Sequence, residues 1–272
     1  MSGMWNTHSL EFNGDIVVKN FRKQERGEPL REWRALRLLD RYAPGLAPRP
    51  IREEPAGDPP RVIMSRITGM PLRGQDITVR QLAALADAIK TLHNAVPSEE
   101  IRELPACVWN PHVALESAKE WSSEKLDFDS DSVVTAAHQL GSEWLAQLNN
   151  AVAAEPEPSA VFGHSDGNLA NFIWDGSKVH IVDFELSGRS DRPYELAELV
   201  EHISMWVERD VDISFLLSCF DLTNHENKRL REFRILFAFT WLLMLLPGRS
   251  AYVRNPPGTL ERQARRFLRF FE

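Results

Sequence analysis

The sequence predicts an α+β chain in two unequal parts: a small β-rich one over residues 1–68 and a larger, mostly helical one over residues 69–272. Three observations point there. Asn13-Gly14 sits between two short extended runs, and Asn-Gly is a strong hairpin signal. A single helical pattern follows before Pro44. From Val79 onward, apolar residues recur mostly at helical spacing. The boundary falls near Ile67–Leu72, and a cleft between two such parts is a natural ligand site.

Ser9–Phe12 and Ile16–Phe21 form the predicted hairpin, with Val17, Val18 and Lys19 in its second run. Pro29 suits a first helical turn, and Trp33, Leu36 and Leu39 carry the helix to Tyr42. The stretch Ala43–Pro60, rich in Pro and Gly, reads as a surface wrap, and Arg61–Ile67 as a strand ending before a turn at Gly69-Met70-Pro71. Leu82, Leu85, Ala86, Ile89 and Leu92 share one helical face that ends near His93-Asn94. Further helices are expected over Val113–Trp121 and Ser132–Val152, then a loop at Ala154–Ser159. Phe172–Trp174 and Val179–Val182 read as two strands joined at Asp175-Gly176-Ser177. Helices near 194–208, 226–246 and 259–271 complete the chain.

Composition narrows the function classes. Hydrophobic content of 43% and charged content of 26% are those of a globular protein. Cys107 and Cys219 have no metal-like spacing and fit a reducing cytoplasm. The opening MSGMWNTHSLEF shows no basic stretch followed by an apolar one. The longest apolar run, Ile235–Leu246, is too short to span a bilayer and reads as a core helix. The net charge of −7 divides into +3 over residues 1–70 and −10 over the rest, which suggests two ligands of opposite sign. No long basic cluster points to nucleic acid. The terminal stretch Leu260–Phe271 alternates four arginines with apolar residues, which suits a helix packing on the core or a membrane-surface or partner-binding module.

The strongest signal is Gly163-His164-Ser165-Asp166-Gly167-Asn168-Leu169-Ala170-Asn171, followed by the strand pair and Val182-Asp183-Phe184-Glu185. Phosphoryl transfer from ATP is mostly positioning and charge neutralisation. It requires oxygen ligands for Mg2+ and a carboxylate beside the attacking hydroxyl. A loop bearing Asp166 and Asn171, with Asp183 returned by the hairpin, supplies both.

These stretches resemble the aminoglycoside phosphotransferase and choline kinase-like family, relatives of the protein kinases. His164–Asn171 resembles its catalytic loop, Ile181–Glu185 its metal-binding strand end, and Asp191–Ala197 the segment after it. Leu82–His93 resembles the family's Leu-Ala…Leu-His helix, and Met64–Leu72 its interlobe linker. The resemblance implies a two-lobed, protein-kinase-like fold truncated at its start, in a cytoplasmic enzyme. Gly3-Met4-Trp5-Asn6 is either a remnant of the phosphate-covering loop or a frayed terminus. The resemblance further implies that Asp166 holds and partly deprotonates the acceptor hydroxyl, that Asn171 and Asp183 bind Mg2+, and that His164 braces the loop. Lys19 would reach the α- and β-phosphates of ATP and pair with Glu32, with Glu28 as a rival. Adenine would meet backbone near Ser65 and Ile67.

Asn168 stands where protein kinases usually carry Lys, and no Ala-Pro-Glu segment follows Asp183, so a small-molecule hydroxyl acceptor is favoured. Glu185, Asp191, Glu198, Glu201 and Asp210 suit a cationic one, such as an aminoglycoside or an amino alcohol. The alternative is a non-catalytic nucleotide-binding or interaction protein that keeps the fold. Asp191 is followed by Arg192 where the family has Pro, and Glu195 replaces a family Asp.

Overall fold

The computed structural model describes residues 8–22, 24–124, 132–148 and 160–272. Within them an antiparallel sheet of four strands forms the first lobe. β1 (Ser9–Asn13) and β2 (Ile16–Asn20) pair through the predicted Asn13-Gly14 turn, where Gly14 adopts φ 61°. β2 also pairs with β4 (Arg61–Ser65), and β4 with β3 (Pro50–Glu54), giving the order β1-β2-β4-β3. The strand β3 lies inside the stretch expected to be a surface wrap. Pro50 fits there because it begins an edge strand, where a missing N–H is tolerated. Helix α1 (Glu28–Tyr42) packs on β3 and β4 and buries Glu32, Ala35, Leu36 and Leu39. The proposed loop remnant Gly3–Asn6 and the Ala154–Ser159 loop lie outside the described residues.

After β4 the chain crosses to the second lobe at Gly69, whose φ is 153°. A β-carbon there would meet the Trp174 carbonyl oxygen at 2.4 Å, so glycine is required for the close approach. β5 (Met70–Pro71) then joins the hairpin of β7 (Phe172–Trp174) and β8 (Val179–Ile181). A second small ladder pairs β6 (Val161–Gly163) with β9 (Gly188–Ser190).

Nine of the ten described helices belong to this lobe. They are α2 (Val79–Ala95), α3 (Ser98–Glu103), α4 (Pro111–Ser122), α5 (Val133–Gln147), α6 (Arg192–Glu201), α7 (Ile213–Ser218), α8 (Asn224–Met244), α9 (Ser250–Arg254) and α10 (Thr259–Leu268). Thr78 opens α2 and Thr223 opens α8 with reciprocal capping boxes, to Gln81 and Glu226. The apolar run ends α8, where Ile235–Thr240, Leu242 and Leu243 are all buried. A helix end that is apolar all round must be enclosed, and α4, α5, α6 and α10 enclose it. Gly141 of α5 lets Phe239 approach closely, since a β-carbon would sit 2.2 Å from the ring. The apolar side of α10, Leu260, Ala264 and Phe267, packs into the same core, as the core-packing reading of the C-terminal segment requires. Among the described residues no helix is long and apolar enough to cross a membrane.

Candidate active site

β6 delivers the chain into residues 164–171, and this loop is held from below by α6. Glu195, on the first turn of α6, accepts from His164 N–H at 2.9 Å and Ser165 N–H at 3.1 Å through one oxygen. Its other oxygen accepts from Ser190 Oγ at 2.5 Å. Ser165 adopts φ 63°, a left-handed conformation that a non-glycine residue keeps only when its surroundings enforce it. Besides the bond to Glu195, its hydroxyl donates to the Trp109 carbonyl at 2.7 Å. Gly163 is needed because a β-carbon would lie 2.4 Å from Glu195 Oε1. The ring nitrogens of His164 sit 2.9 Å from the carbonyl oxygens of Asp166 and Val182, so the ring ties the loop to the strand end before Asp183. A bracing role for His164 suits that placement.

Asp166, Asn171 and Asp183 converge. Asn171 Nδ2 donates to Asp166 Oδ2 at 2.9 Å, and Asn168 N–H donates to Asp166 Oδ1 at 3.0 Å. Val182 N–H donates to the Asn171 carbonyl at 2.9 Å, which brings Asp183 alongside. Asp183 is itself left-handed, with φ 70°. Burial pushes the Asp166 carboxyl above its usual range; the His164 ring opposes this and the charge of Asp183 adds to it. Lys19 reaches the same cluster from β2: its Nζ lies 3.0 Å from Glu32 Oε2, 2.5 Å from Asp183 Oδ1 and 2.8 Å from Glu185 Oε2. Burial works against its charge, but Asp183, Glu32 and Glu185 outweigh burial and hold the ammonium well above its ordinary range. Glu32, not Glu28, is the partner; Glu28 instead accepts from Arg26 N–H. Burial likewise raises the Glu32 carboxyl, with Lys19 opposing.

The sequence profile of the phosphotransferase enzyme family matches residues 8–220, more than three quarters of the chain and all of this cluster. The chain belongs to that family. No curated protein matches the chain in sequence. Solved structures show the same fold at low identity. A choline/ethanolamine kinase family protein from Mesorhizobium loti aligns with a TM-score of 0.69 at 17% identity, over 100% of this chain and 90% of that one. The choline kinase LicA from Streptococcus pneumoniae aligns at 0.61 and 17%, over 99% and 91%. The GDP complex of aminoglycoside 2'-phosphotransferase-IIIa aligns at 0.65 and 16%, over 98% and 90%. The mixed fold, with a small antiparallel sheet lobe and a helical lobe, is therefore that of these kinase-like proteins.

In this phosphotransferase the sheet register puts Leu10, Phe12, Val17, Val62 and Met64 on the same side as Lys19, because opposed and alternate residues share a face. Leu10 and Phe12 remain exposed while Val17, Val62 and Met64 are buried. Arg66 lies over the Phe12 ring, 5.4 Å from its centroid. Alternation along β1 and β2 could have revealed this apolar surface, but sequence reading passed over it. The linker positions differ from each other. Ser65 N–H donates to the Arg49 carbonyl and its hydroxyl accepts from Arg49 N–H. The Ile67 backbone has no backbone partner among the described residues.

Three further residues were invisible to motif reasoning. Arg31, beside Glu32 on α1, donates to the carbonyls of Ser187 at 2.8 Å, Ala106 at 2.9 Å and Arg26 at 3.1 Å, and so fastens α1 to the second lobe. Arg73, next to the linker, donates to Asn168 Oδ1 at 3.2 Å and pairs with Glu208 at 2.7 Å. His8 lies 3.1 Å from Glu185 Oε2. Burial would raise the Glu185 carboxyl, but the His8 ring and the Lys19 ammonium beside it draw it down to about 2. The acidic residues expected to greet a cation are mostly engaged elsewhere: Asp191 with Arg229, Glu201 with Arg234, and Asp210 with Arg262. Glu198 alone is buried beside Asp166; burial, then the charges of Asp166 and Glu195, push its carboxyl well up.

Proposed function

We propose that this protein transfers the γ-phosphate of ATP to a hydroxyl group of a small, cationic acceptor. The observation that carries the reading is the convergence of Asp166, Asn171 and Asp183 on one another, with Lys19 and Glu32 closing the cluster from the other lobe. Asp166 would accept the proton of the attacking hydroxyl. Its raised pKa suits a base that must gain a proton during transfer. Lys19, directed by Glu32, supplies positive charge for the α- and β-phosphates, and Leu10, Phe12, Val17 and Met64 offer an apolar cover for the adenine ring near Ile67.

Mg2+ fits the donor set. The Asn171 amide nitrogen is turned to Asp166, which leaves its oxygen as a ligand, and the Asp183 side chain is 38% exposed. One carboxylate and one amide suit an ion that takes most of its ligands from phosphate and water. When bound, Mg2+ neutralises charge on the phosphate oxygens. Among the described residues no group of three or more His, Cys, Asp or Glu side chains forms a metal cage, which agrees with a site completed by its substrate.

The carboxyl groups of Asp166 and Glu198 lie together with their charged forms disfavoured by burial, and a bound cation would restore those charges, which supports a cationic acceptor class, an aminoglycoside-like antibiotic or an amino alcohol. The test is a screen of aminoglycosides, peptide antibiotics, amino alcohols and sugars for stimulated ADP release with Mg2+ and ATP. Asp166→Ala should abolish that release while the circular dichroism spectrum is retained. Undiminished release in Asp166→Ala would overturn the mechanism. Absence of any thermal shift with millimolar Mg2+ and ATP would favour a non-catalytic protein.

A further inference from the structure

A cavity lies where the end of α6 meets α7, α8 and the last turns of the chain. Glu201, Ile213, Arg234, Arg266, Arg269 and Phe270 line its roughly 280 Å³. It shares no residue with the cluster of Lys19, Asp166, Asn171 and Asp183. A larger space of about 480 Å³ adjoins it through Arg234 and Phe270.

Three guanidinium groups here face one carboxylate, a net charge of +2. Glu201 is only 1% exposed and accepts from Arg234 Nε at 2.7 Å, with Arg266 Nη2 at 3.5 Å from its second oxygen. It gathers two cations and leaves them under-neutralised. Arg266 Nε is buried and finds no hydrogen-bond acceptor among the described residues. A buried charged donor without a protein acceptor is unusual in a folded protein, and a water, an ion or a ligand must meet it. Burial lowers the Arg266 pKa, and the charges of Arg234 and Arg262 press the same way against Glu201 and Asp210. Arg269 is exposed and forms no side-chain hydrogen bond or ion pair among the described residues.

We propose that this cavity binds an oxyanion, a phosphate or carboxylate group carried by a small organic molecule. Arg234, Arg266 and Arg269 hold the anion, whose oxygens accept the orphaned Nε–H and balance the excess charge. Guanidinium forks match both oxyanions in geometry, and the bonds are charge-assisted. Ile213 and Phe270 give the organic part an apolar wall. The inference does not depend on the phosphotransfer reading, since no residue is shared. It places the anion at the end of α6, about 9 Å along the helix from Glu195, which holds the catalytic loop.

The experiment titrates the full chain with inorganic phosphate and, separately, sodium acetate by calorimetry at low ionic strength, where surface screening is weak. Tighter phosphate assigns a phosphate ligand and tighter acetate a carboxylate. Arg269→Gln alters an exposed side chain and should leave the fold intact. Arg266→Lys keeps a cation for Glu201 but removes the orphaned donor. Each should weaken binding of the preferred anion about tenfold. No binding of either anion at tens of millimolar, or an affinity unchanged in either variant, overturns the proposal.

Discussion

Replacing Glu195 with alanine isolates what supports the loop of residues 164–171, proposed above to be catalytic, without touching a residue proposed to meet substrate. The carboxylate accepts from two buried backbone donors, His164 N–H and Ser165 N–H, and from Ser190 Oγ. Hydrogen bonds to a charged group contribute about 1.5–3 kcal/mol each, and buried donors left unpaired lose a comparable amount. Counting the two backbone donors alone, Glu195→Ala should destabilise the protein by about 3–6 kcal/mol. That is a large part of the roughly 5–15 kcal/mol typical of a folded protein. Ser165 would then be free to leave its left-handed conformation, and Asp166 follows it in the chain. A displacement of about 1 Å at a reacting group can reduce turnover on the order of 100-fold. Lys19 and Glu32 belong to the other lobe, so the KM for ATP should stay within a few-fold. Urea unfolding gives the stability, and ADP release gives kcat and KM. Glu195→Gln keeps an oxygen acceptor and should fall between the two. A Glu195→Ala protein with the parent's urea midpoint and kcat would falsify the account of the loop.

Other perturbations have equally defined outcomes. Arg31→Ala removes three bonds to backbone carbonyls and should raise the KM for ATP several-fold, with faster hydrogen exchange in α1; Arg31→Lys should not restore it, because an ammonium lacks the fork. Burial lowers the pKa of His93 and of His202 to about 3, so both stay neutral when folded and take up protons only on unfolding. Their contribution is fully present above the unfolded value of 6.5 and is lost as pH falls, by about 1.4 kcal/mol each at pH 5.5. Both ring nitrogens of His93 lack hydrogen-bond partners among the described residues, so His93→Leu should lessen that acid sensitivity in urea titrations without loss at pH 7. Deleting residues 259–272 uncovers the core face met by Leu260, Ala264 and Phe267, and insoluble protein is expected. A soluble truncation that merely loses a partner would point to an interaction role instead.

The major helices and the hairpins were legible because long periodic segments and Asn-Gly or Asp-Gly turns state their structure locally. β3 was not, since Pro50 and the surrounding Pro and Gly mask a five-residue run whose Ile51, Arg52 and Glu53 are exposed. α3, α7 and α9 span only five or six residues each, too few for a period to declare itself. Short helices are held by tertiary contact, and that information lies elsewhere in the chain. The site shows the same division. His164–Asn171 and Asp183 are close in sequence and carry their meaning in spacing, whereas Arg31 and Arg73 act through carbonyl and amide oxygens 75 to 156 residues away.

Charge shows why composition misjudges a binding surface. The acidic surplus after residue 70 suggested a wall awaiting a cation. In the fold Asp191 meets Arg229 of α8, Glu201 meets Arg234 of α8 and Arg266 of α10, and Asp210 meets Arg262 of α10. Glu185 meets His8 and Lys19 from the first lobe. A segment's net charge is blind to such pairing, because each partner lies between 33 and 177 residues away. What selects an acceptor is the field left after pairing, and beside Asp166 that residue is Glu198, whose carboxyl is pushed well up by burial. Burial disfavours its charge and a neighbouring ammonium would favour it, so Glu198 is the position at which the proposed cationic acceptor would gain most. Glu198→Gln should therefore weaken a cationic acceptor far more than ATP, a contrast that the KM values of the two substrates measure directly.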